Sequence, residues 1–281
     1  YKEKIKPDII YHFAANSLVL DSYKAPLQTI KNNIFSTSHL LDCIRKIYQN
    51  KKIILIISTS DKVYKPSKKY LKENDTLGGK DIYSVSKACK ELISYSFYES
   101  FFKNKRNITI ATVRAGNVIG PGDYSKNRIV PDLVNFLTKN NNIVLRNPNQ
   151  IRPWQHILDC LNGYISLTIY LKKTPEQFSN WNLGPKSEDV DVHQLTKKFI
   201  KYWQSNKKIK IEIIKSELSE NNLIRLNSNK SRYKLKWNDK FEIDELIKDT
   251  AETYKYINKH FKHPGNILLK LNKNIKSYYN K

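Results

Sequence analysis

Tyr83 and Lys87 stand four residues apart in IYSVSKACKEL, a spacing that puts both on one face of a helix. An isolated tyrosine titrates near pH ~10 and is a poor base at neutral pH. A neighbouring ammonium favours the phenolate, and a helix N-terminus one turn away adds partial positive charge. Such a pair can accept a proton from an alcohol while a hydride leaves the same carbon. The spacing has a plainer use as well, because Lys87 could pair with Glu91 four residues on. Three other stretches carry polar or small residues suited to a site: His12-Phe13-Ala14-Ala15, Ser60-Asp61-Lys62, and Asn117.

The elements that position these residues are legible in the hydrophobic pattern. DIIYHFAA at 8–15 is a short β-rich run, KIILIIST at 52–59 is continuously β-branched, and NITIATVR at 107–114 is another such run. Continuous runs of this kind mark strands covered on both faces. Helical spacing joins them over 27–48 and 82–103, with Asp81 placed to cap the second helix. The β-α-β-α-β order predicts a parallel sheet with helices on both faces. The three strand ends then deliver His12–Ala15, Ser60–Lys62 and Asn117 to the carboxyl rim, where open α/β sheets bind ligands. Beyond 115 the elements shorten: helices near 128–140, 158–171 and 191–204, strands at 143–147, 180–185 and 209–214, and a helix at 241–260. Residues 261–281, rich in Lys and Asn, read as a loosely attached tail.

The chain has 281 residues, enough for one large or two modest domains. With 40% hydrophobic and 11% aromatic residues it is too apolar for a disordered polymer. Its longest apolar runs fall far short of the roughly 20 residues a membrane helix needs. Cys43, Cys89 and Cys160 are odd in number and lack metal-type spacing, which predicts reduced thiols, a cytoplasmic protein and no metal site. Fifty Lys and Arg against twenty-six Asp and Glu give +24, but the excess is mostly Lys scattered without a basic block. Neither a nucleic-acid partner nor a membrane is expected from it, although a phosphate-bearing ligand would be steered by such a field.

The residues singled out, taken together, resemble the extended short-chain dehydrogenase/reductases that act on nucleotide sugars. The resemblance covers about residues 5–260 and rests on HFAA at 12–15, Asn33, YxxxK at 83–87 and RAGNVIGPGD at 114–123. TSDKVY at 59–64, LGGKDIYSVSKACKEL at 77–92, NRIVPDLV at 127–134 and LRNPNQIRPWQHILDCLNGY at 145–164 are most similar to the CDP-glucose 4,6-dehydratase family. The resemblance implies a Rossmann-type doubly wound sheet, NAD as cofactor, CDP-glucose as substrate and a homodimer built on the helices at 29–48 and 82–103. It implies a lyase that yields CDP-4-keto-6-deoxyglucose for deoxysugar and surface-polysaccharide synthesis. Tyr83 would take the C4 hydroxyl proton as hydride passes to NAD, Lys87 would hold the nicotinamide ribose, and Ser60 would bond the C4 oxygen. Asp61 would protonate the departing C6 hydroxyl. Lys62 stands where related dehydratases carry a Glu that removes the C5 proton; it either serves as that base or orients Asp61 and meets a phosphate. His12, Ala14, Ala15 and Asn33 would shape the cofactor edge. Asn117, Arg128, Arg146 and Arg152 would hold the sugar nucleotide, since a guanidinium can donate two parallel hydrogen bonds to a pyrophosphate. His156 and Trp154 are expected to be structural.

One departure is large. The eight glycines never fall in the G-x-G-x-x-G spacing of a dinucleotide loop, and the chain has no Met. The expectation is an N-terminally truncated fragment that lacks the first strands and glycine-rich loop, binds NAD poorly and is inactive alone. Its cofactor domain would comprise 1–114 with 151–184, and its substrate domain 115–150 with 185–260. Two alternatives stay open: another nucleotide-sugar dehydratase or 4-epimerase acting on dTDP-glucose, GDP-mannose or UDP-glucose, and a non-catalytic basic binding protein.

Overall fold

The computed structural model describes residues 7–48, 51–139, 141–186, 189–204, 209–214 and 223–281. The chain divides into two compact units. In the first, β1 (Ile9–His12), β2 (Ile53–Ser58), β3 (Ile108–Ala115) and β7 (Phe178–Leu183) form one parallel sheet in the order β1-β2-β3-β7. Its register pairs Ile9 with Ile54, Ile53 with Ile108, and Ile110 with Phe178. Short helices α1 (Val19–Lys24) and α2 (Pro26–Ile30) follow β1, then α3 (Ser36–Ile47); α4 (Ile82–Phe97) precedes β3. Leu41 and Ile44 of α3 and Phe102 beyond α4 pack on Ile53, Leu55, Ile57, Ile108 and Ile110. The β-branched runs are therefore buried by the helices that connect them. β1 lies at one edge, with Tyr11 and Phe13 stacked and exposed.

Two π-helical turns interrupt these helices, at Lys31–Phe35 and Tyr98–Phe102. The first joins α2 to α3 without a break. It lies within an unusual run of buried residues spaced by fours: Thr29, Asn33, Thr37 and Leu41. In a plain α-helix three such steps drift about 120° around the axis. The wider π turn takes back part of that drift and keeps the four residues on one face.

The second unit contains two short parallel pairs, β4 (Asn117–Ile119) with β6 (Trp154–His156) and β5 (Ile143–Leu145) with β8 (Ile211–Ile213). Helices α5 (Ile129–Thr138), α7 (Val192–Trp203) and α9 (Ile243–Lys259) close its core around Leu133, Leu195, Phe199, Ile247 and Tyr254. α7 starts on a capping box in which Asp191 and Gln194 satisfy each other's backbone N–H groups. α6 (Ile157–Lys173) begins in this unit and continues in the first; α8 (Asn229–Leu235) belongs to the first.

Three expectations need correction. Residues 151–161 group with the second unit rather than with 1–114, because β6 pairs with β4. Residues 226–237 group with the first unit rather than with 185–260. There the Asn182 amide donates to the carbonyls of Leu71 and Asn227, Ser231 Oγ donates to the Asn182 carbonyl, and the Gly184 N–H donates to Ser228 Oγ. Residues 261–281 are not a loose tail: Pro264–Tyr279 form α10, fixed by Tyr278, whose hydroxyl donates to Asp159 at 2.9 Å. Among the described residues, no helix is long and apolar enough to cross a membrane and no group of His, Cys, Asp or Glu could hold a metal ion.

Candidate active site

The first unit gathers most of the residues expected to do chemistry. α4 starts at Asp81, whose carboxylate accepts the Ser84 N–H at 2.9 Å and the Ser84 hydroxyl at 2.7 Å. Tyr83 follows within the first turn and Lys87 one turn beyond it, both buried, with the ammonium 5.6 Å from the tyrosine ring centre. At the end of β2, Ser60 caps a single 3-10 turn, Asp61–Val63: its hydroxyl accepts the Lys62 N–H and donates to Asp61 Oδ1 at 2.9 Å. This turn packs against α4, which brings the Ser60-Asp61-Lys62 stretch beside the helix that carries Tyr83. Asp61 is buried and Lys62 half-buried.

At the end of β1, Ala14 is exposed and Ala15 half-exposed, so the backbone there is open to a ligand. Their small side chains and the adjacent Tyr83–Lys87 pair fit the nicotinamide-ribose end of a dinucleotide; the chain offers no glycine cradle for the pyrophosphate. Asn33 stands one step back from that edge. It has no exposed surface, accepts the Asn16 N–H at 2.7 Å, and donates to the Asn16 carbonyl and to Ser86 Oγ. Asn33 therefore fixes the loop after β1 to α4 rather than facing solvent.

His12 is buried and its Nε2 lies 3.0 Å from Thr37 Oγ1, whose own hydrogen goes to the Asn33 carbonyl. Nε2 is thus the protonated nitrogen of a neutral ring. Burial, then the Lys90 and Lys87 charges, lower its pKa to about 4. Free histidine titrates near 6.5, so between pH 6.5 and 4 the unfolded chain takes up a proton that the folded chain refuses. The stability His12 permits is intact above 6.5 and falls as pH drops towards 4, by at most about 3 kcal/mol. Urea midpoints measured across that range should show the loss, and His12→Gln should flatten it.

The spacing in the sequence gave no warning of Lys90. It sits one turn beyond Lys87 on the same helix face, has no exposed surface, and donates to the Ala14 carbonyl at 3.4 Å. Burial, and then the Lys87 charge, lower its pKa to about 7. The alternative Lys87–Glu91 pair is not the arrangement found. Glu91 is instead engaged by Arg114 through Nε at 2.9 Å and by the Thr59 hydroxyl at 2.6 Å. Arg114 Nη1 continues the network to the Tyr64 hydroxyl and the Glu73 carbonyl, and Tyr64 donates to Asn182 Oδ1.

The expected substrate-binding residues lie in the second unit. The Asn117 N–H donates to the Pro153 carbonyl, which aligns β4 with β6. Arg152 is buried beside that ribbon, with Nη1 donating to the Ile151 carbonyl. Arg128 and Arg146 gather at one turn: Arg128 Nε lies 3.7 Å from Asp123, while Arg146 donates to Asn127 Oδ1 and lies 3.9 Å from Asp132. Asn127, at φ 64°, makes this turn in the left-handed region that asparagine tolerates. The His156 ring accepts the Leu158 N–H at Nδ1, so Nε2 carries the hydrogen that reaches Asp249 at 3.1 Å. Its ring is stacked on Phe241, and Trp154 donates from the core to the Val190 carbonyl.

A parallel sheet flanked by its connecting helices, with a Tyr-x-x-x-Lys helix beside the strand ends, defines a Rossmann-type α/β protein. Residues 2–250 match the GDP-mannose 4,6 dehydratase family, and the chain belongs to it. It is 35% identical to CDP-glucose 4,6-dehydratase of Salmonella typhimurium over 253 residues, covering 87% of this chain and 69% of that one. It is 27% identical to dTDP-D-glucose 4,6-dehydratase of Dictyostelium discoideum, covering 68% of this chain and 46% of that one. Among solved structures, UDP-glucuronic acid 4-epimerase from Bacillus cereus, in complex with UDP-glucuronic acid and NAD, matches with a TM-score of 0.77. That match has 19% identity and covers 89% of this chain and 76% of the other. UDP-glucose 4-epimerase from Thermotoga maritima matches equally, at 0.77 and 20% identity over 90% of this chain and 78% of its own. These two likenesses are of fold.

Proposed function

We propose that this chain carries the catalytic part of an NAD-dependent CDP-glucose 4,6-dehydratase. The observation that carries the reading is the Ser60-Asp61-Lys62 turn packed against the helix of Tyr83 and Lys87, in a chain 35% identical to a CDP-glucose 4,6-dehydratase. The dinucleotide would be held by the Ala14–Ala15 edge, Tyr83 and Lys87, and would supply the hydride acceptor for C4 and the donor for C6. Tyr83 accepts the C4 hydroxyl proton as a phenolate, the form that the Lys87 ammonium stabilises. Ser60 orients the C4 oxygen. Once C4 is a ketone the C5 proton is acidic; Lys62, half-buried at the same turn, takes it if it is present as the neutral amine, and as the ammonium it orients Asp61 or meets a phosphate. Asp61 donates the proton that lets the C6 hydroxyl leave as water. Asn117, Arg128, Arg146 and Arg152 bind the sugar nucleotide. Exposed Phe35, Leu92, Tyr95 and Phe101 support pairing of two copies.

The test joins the chain to an N-terminal dinucleotide-binding segment and supplies NAD with CDP-glucose, dTDP-glucose, GDP-mannose or UDP-glucose in turn. The alkaline absorbance of a 4-keto-6-deoxy sugar should appear with CDP-glucose only, and not with the 281 residues alone. Signal with a different sugar nucleotide would overturn the substrate assignment. Silence with all four, from a folded protein that binds NAD, would overturn the dehydratase reading and favour an epimerase.

A further inference from the structure

The last helix offers a face that the proposed reaction does not use. α10 is held to the second unit mainly along one side. Asn274 donates to Asp249 Oδ1 at 3.2 Å and to Thr253 Oγ1 at 2.9 Å, Tyr278 is buried against Asp159, and Lys240 donates to the Tyr278 carbonyl. These contacts fix the rotation of the helix, so what it turns outward is set by the fold. Leu268, Ile275 and Tyr279, at i, i+7 and i+11, lie along one outer stripe and are 60%, 40% and 56% exposed. Leu269, 68% exposed, widens the stripe, and Phe261 adds a further exposed ring just before the helix.

The charge carried by the helix itself is of one sign. From Thr253 to Lys281 there is no Asp or Glu; Lys262, Lys270, Lys273 and Lys276 fall within or beside the helix, and Lys281 pairs with Glu245 at 2.9 Å. A second copy is a poor occupant, because pairing two such helices would set lysines against lysines, with no carboxylate on either helix. The stripe is also convex, a helix ridge rather than a groove. It suits a deformable anionic surface into which leucines can sink while long lysine stems keep their ammonium groups at the headgroups.

We propose that α10 docks this protein on an anionic lipid surface, lying in the plane of the interface with Leu268, Ile275 and Tyr279 inserted. Such a contact is peripheral and is compatible with the absence of a spanning helix among the described residues.

Co-sedimentation of the full chain with phosphatidylcholine vesicles, with and without phosphatidylglycerol, tests it. Binding is expected to the anionic vesicles and not to pure phosphatidylcholine. The charge-neutral double variant Leu268→Ser/Ile275→Ser should weaken it about tenfold. The triple variant Lys270→Gln/Lys273→Gln/Lys276→Gln should weaken it at least as much. Leu268, Lys273, Ile275 and Lys276 are exposed and Lys270 is half-buried beside the docked face, so unchanged thermal unfolding is needed to exclude misfolding. Equal binding by the double variant and the parent would overturn the proposal, because adsorption would then be that of a +24 protein and not of this helix. Failure to bind anionic vesicles, or a dimer abolished by the double variant, would overturn it equally. None of these readouts depends on the dehydratase reading.

Discussion

Arg114→Met is expected to destabilise the first unit by about 3–5 kcal/mol, a large part of the 5–15 kcal/mol that holds a typical domain folded. Arg114 and Glu91 are 1% and 3% exposed, so removing the guanidinium leaves a carboxylate buried with only the Thr59 hydroxyl for company. The same change strips the Tyr64 hydroxyl and the Glu73 carbonyl of a donor. Methionine fills much of the volume, so the loss reports the polar network rather than a cavity. A double variant, Arg114→Met/Glu91→Leu, should recover part of the stability because no charge is then stranded. Urea unfolding of the parent and both variants measures the effect. A single variant that unfolds within about 1 kcal/mol of the parent would mean that water reaches Glu91.

Tyr83→Phe should lower turnover by about 10²- to 10⁴-fold, the usual contribution of a positioned acid–base group. The ring packs at the start of α4 and Lys87 lies over its face, contacts that phenylalanine keeps. Folding and dinucleotide affinity should therefore change little, and only proton transfer should fail. The measurement is kcat and KM on the chain joined to its dinucleotide-binding segment, with KM expected within a few-fold of the parent. Turnover unchanged by the substitution would remove Tyr83 from the chemistry and leave it a wall of the pocket.

Much of this was legible in the residues. Continuous β-branched runs placed β1, β2 and β3, and the capping position of Asp81 located the start of α4 to the residue. What stayed hidden depended on partners distant in sequence. Glu91 has Lys87 at helical spacing but meets Arg114, 23 residues on, because β3 runs beside β2 and under α4. Lys90 gave no signal because burial of a lysine is decided by packing, not by spacing. β6, three residues long, is too short for an apolar pattern to mark it. α10 was concealed by composition: its Lys and Asn content resembles a solvated tail, yet Ile267, Leu271, Asn274 and Tyr278 carry the helical interval that docks it.

The π turn at Lys31–Phe35 acts as a phase adjuster. Deleting Asn33 from it would restore plain α geometry and leave the segments before and after in nearly the same relation, because the π turn already absorbs one residue. Thr37 and Leu41 would keep their places, while Ser86 and the loop after β1 would lose the amide that ties them together. The spare residue is thus stored in the middle of a rod, not in a loop. A one-residue length difference between relatives at this point would alter the cofactor edge without disturbing a single strand.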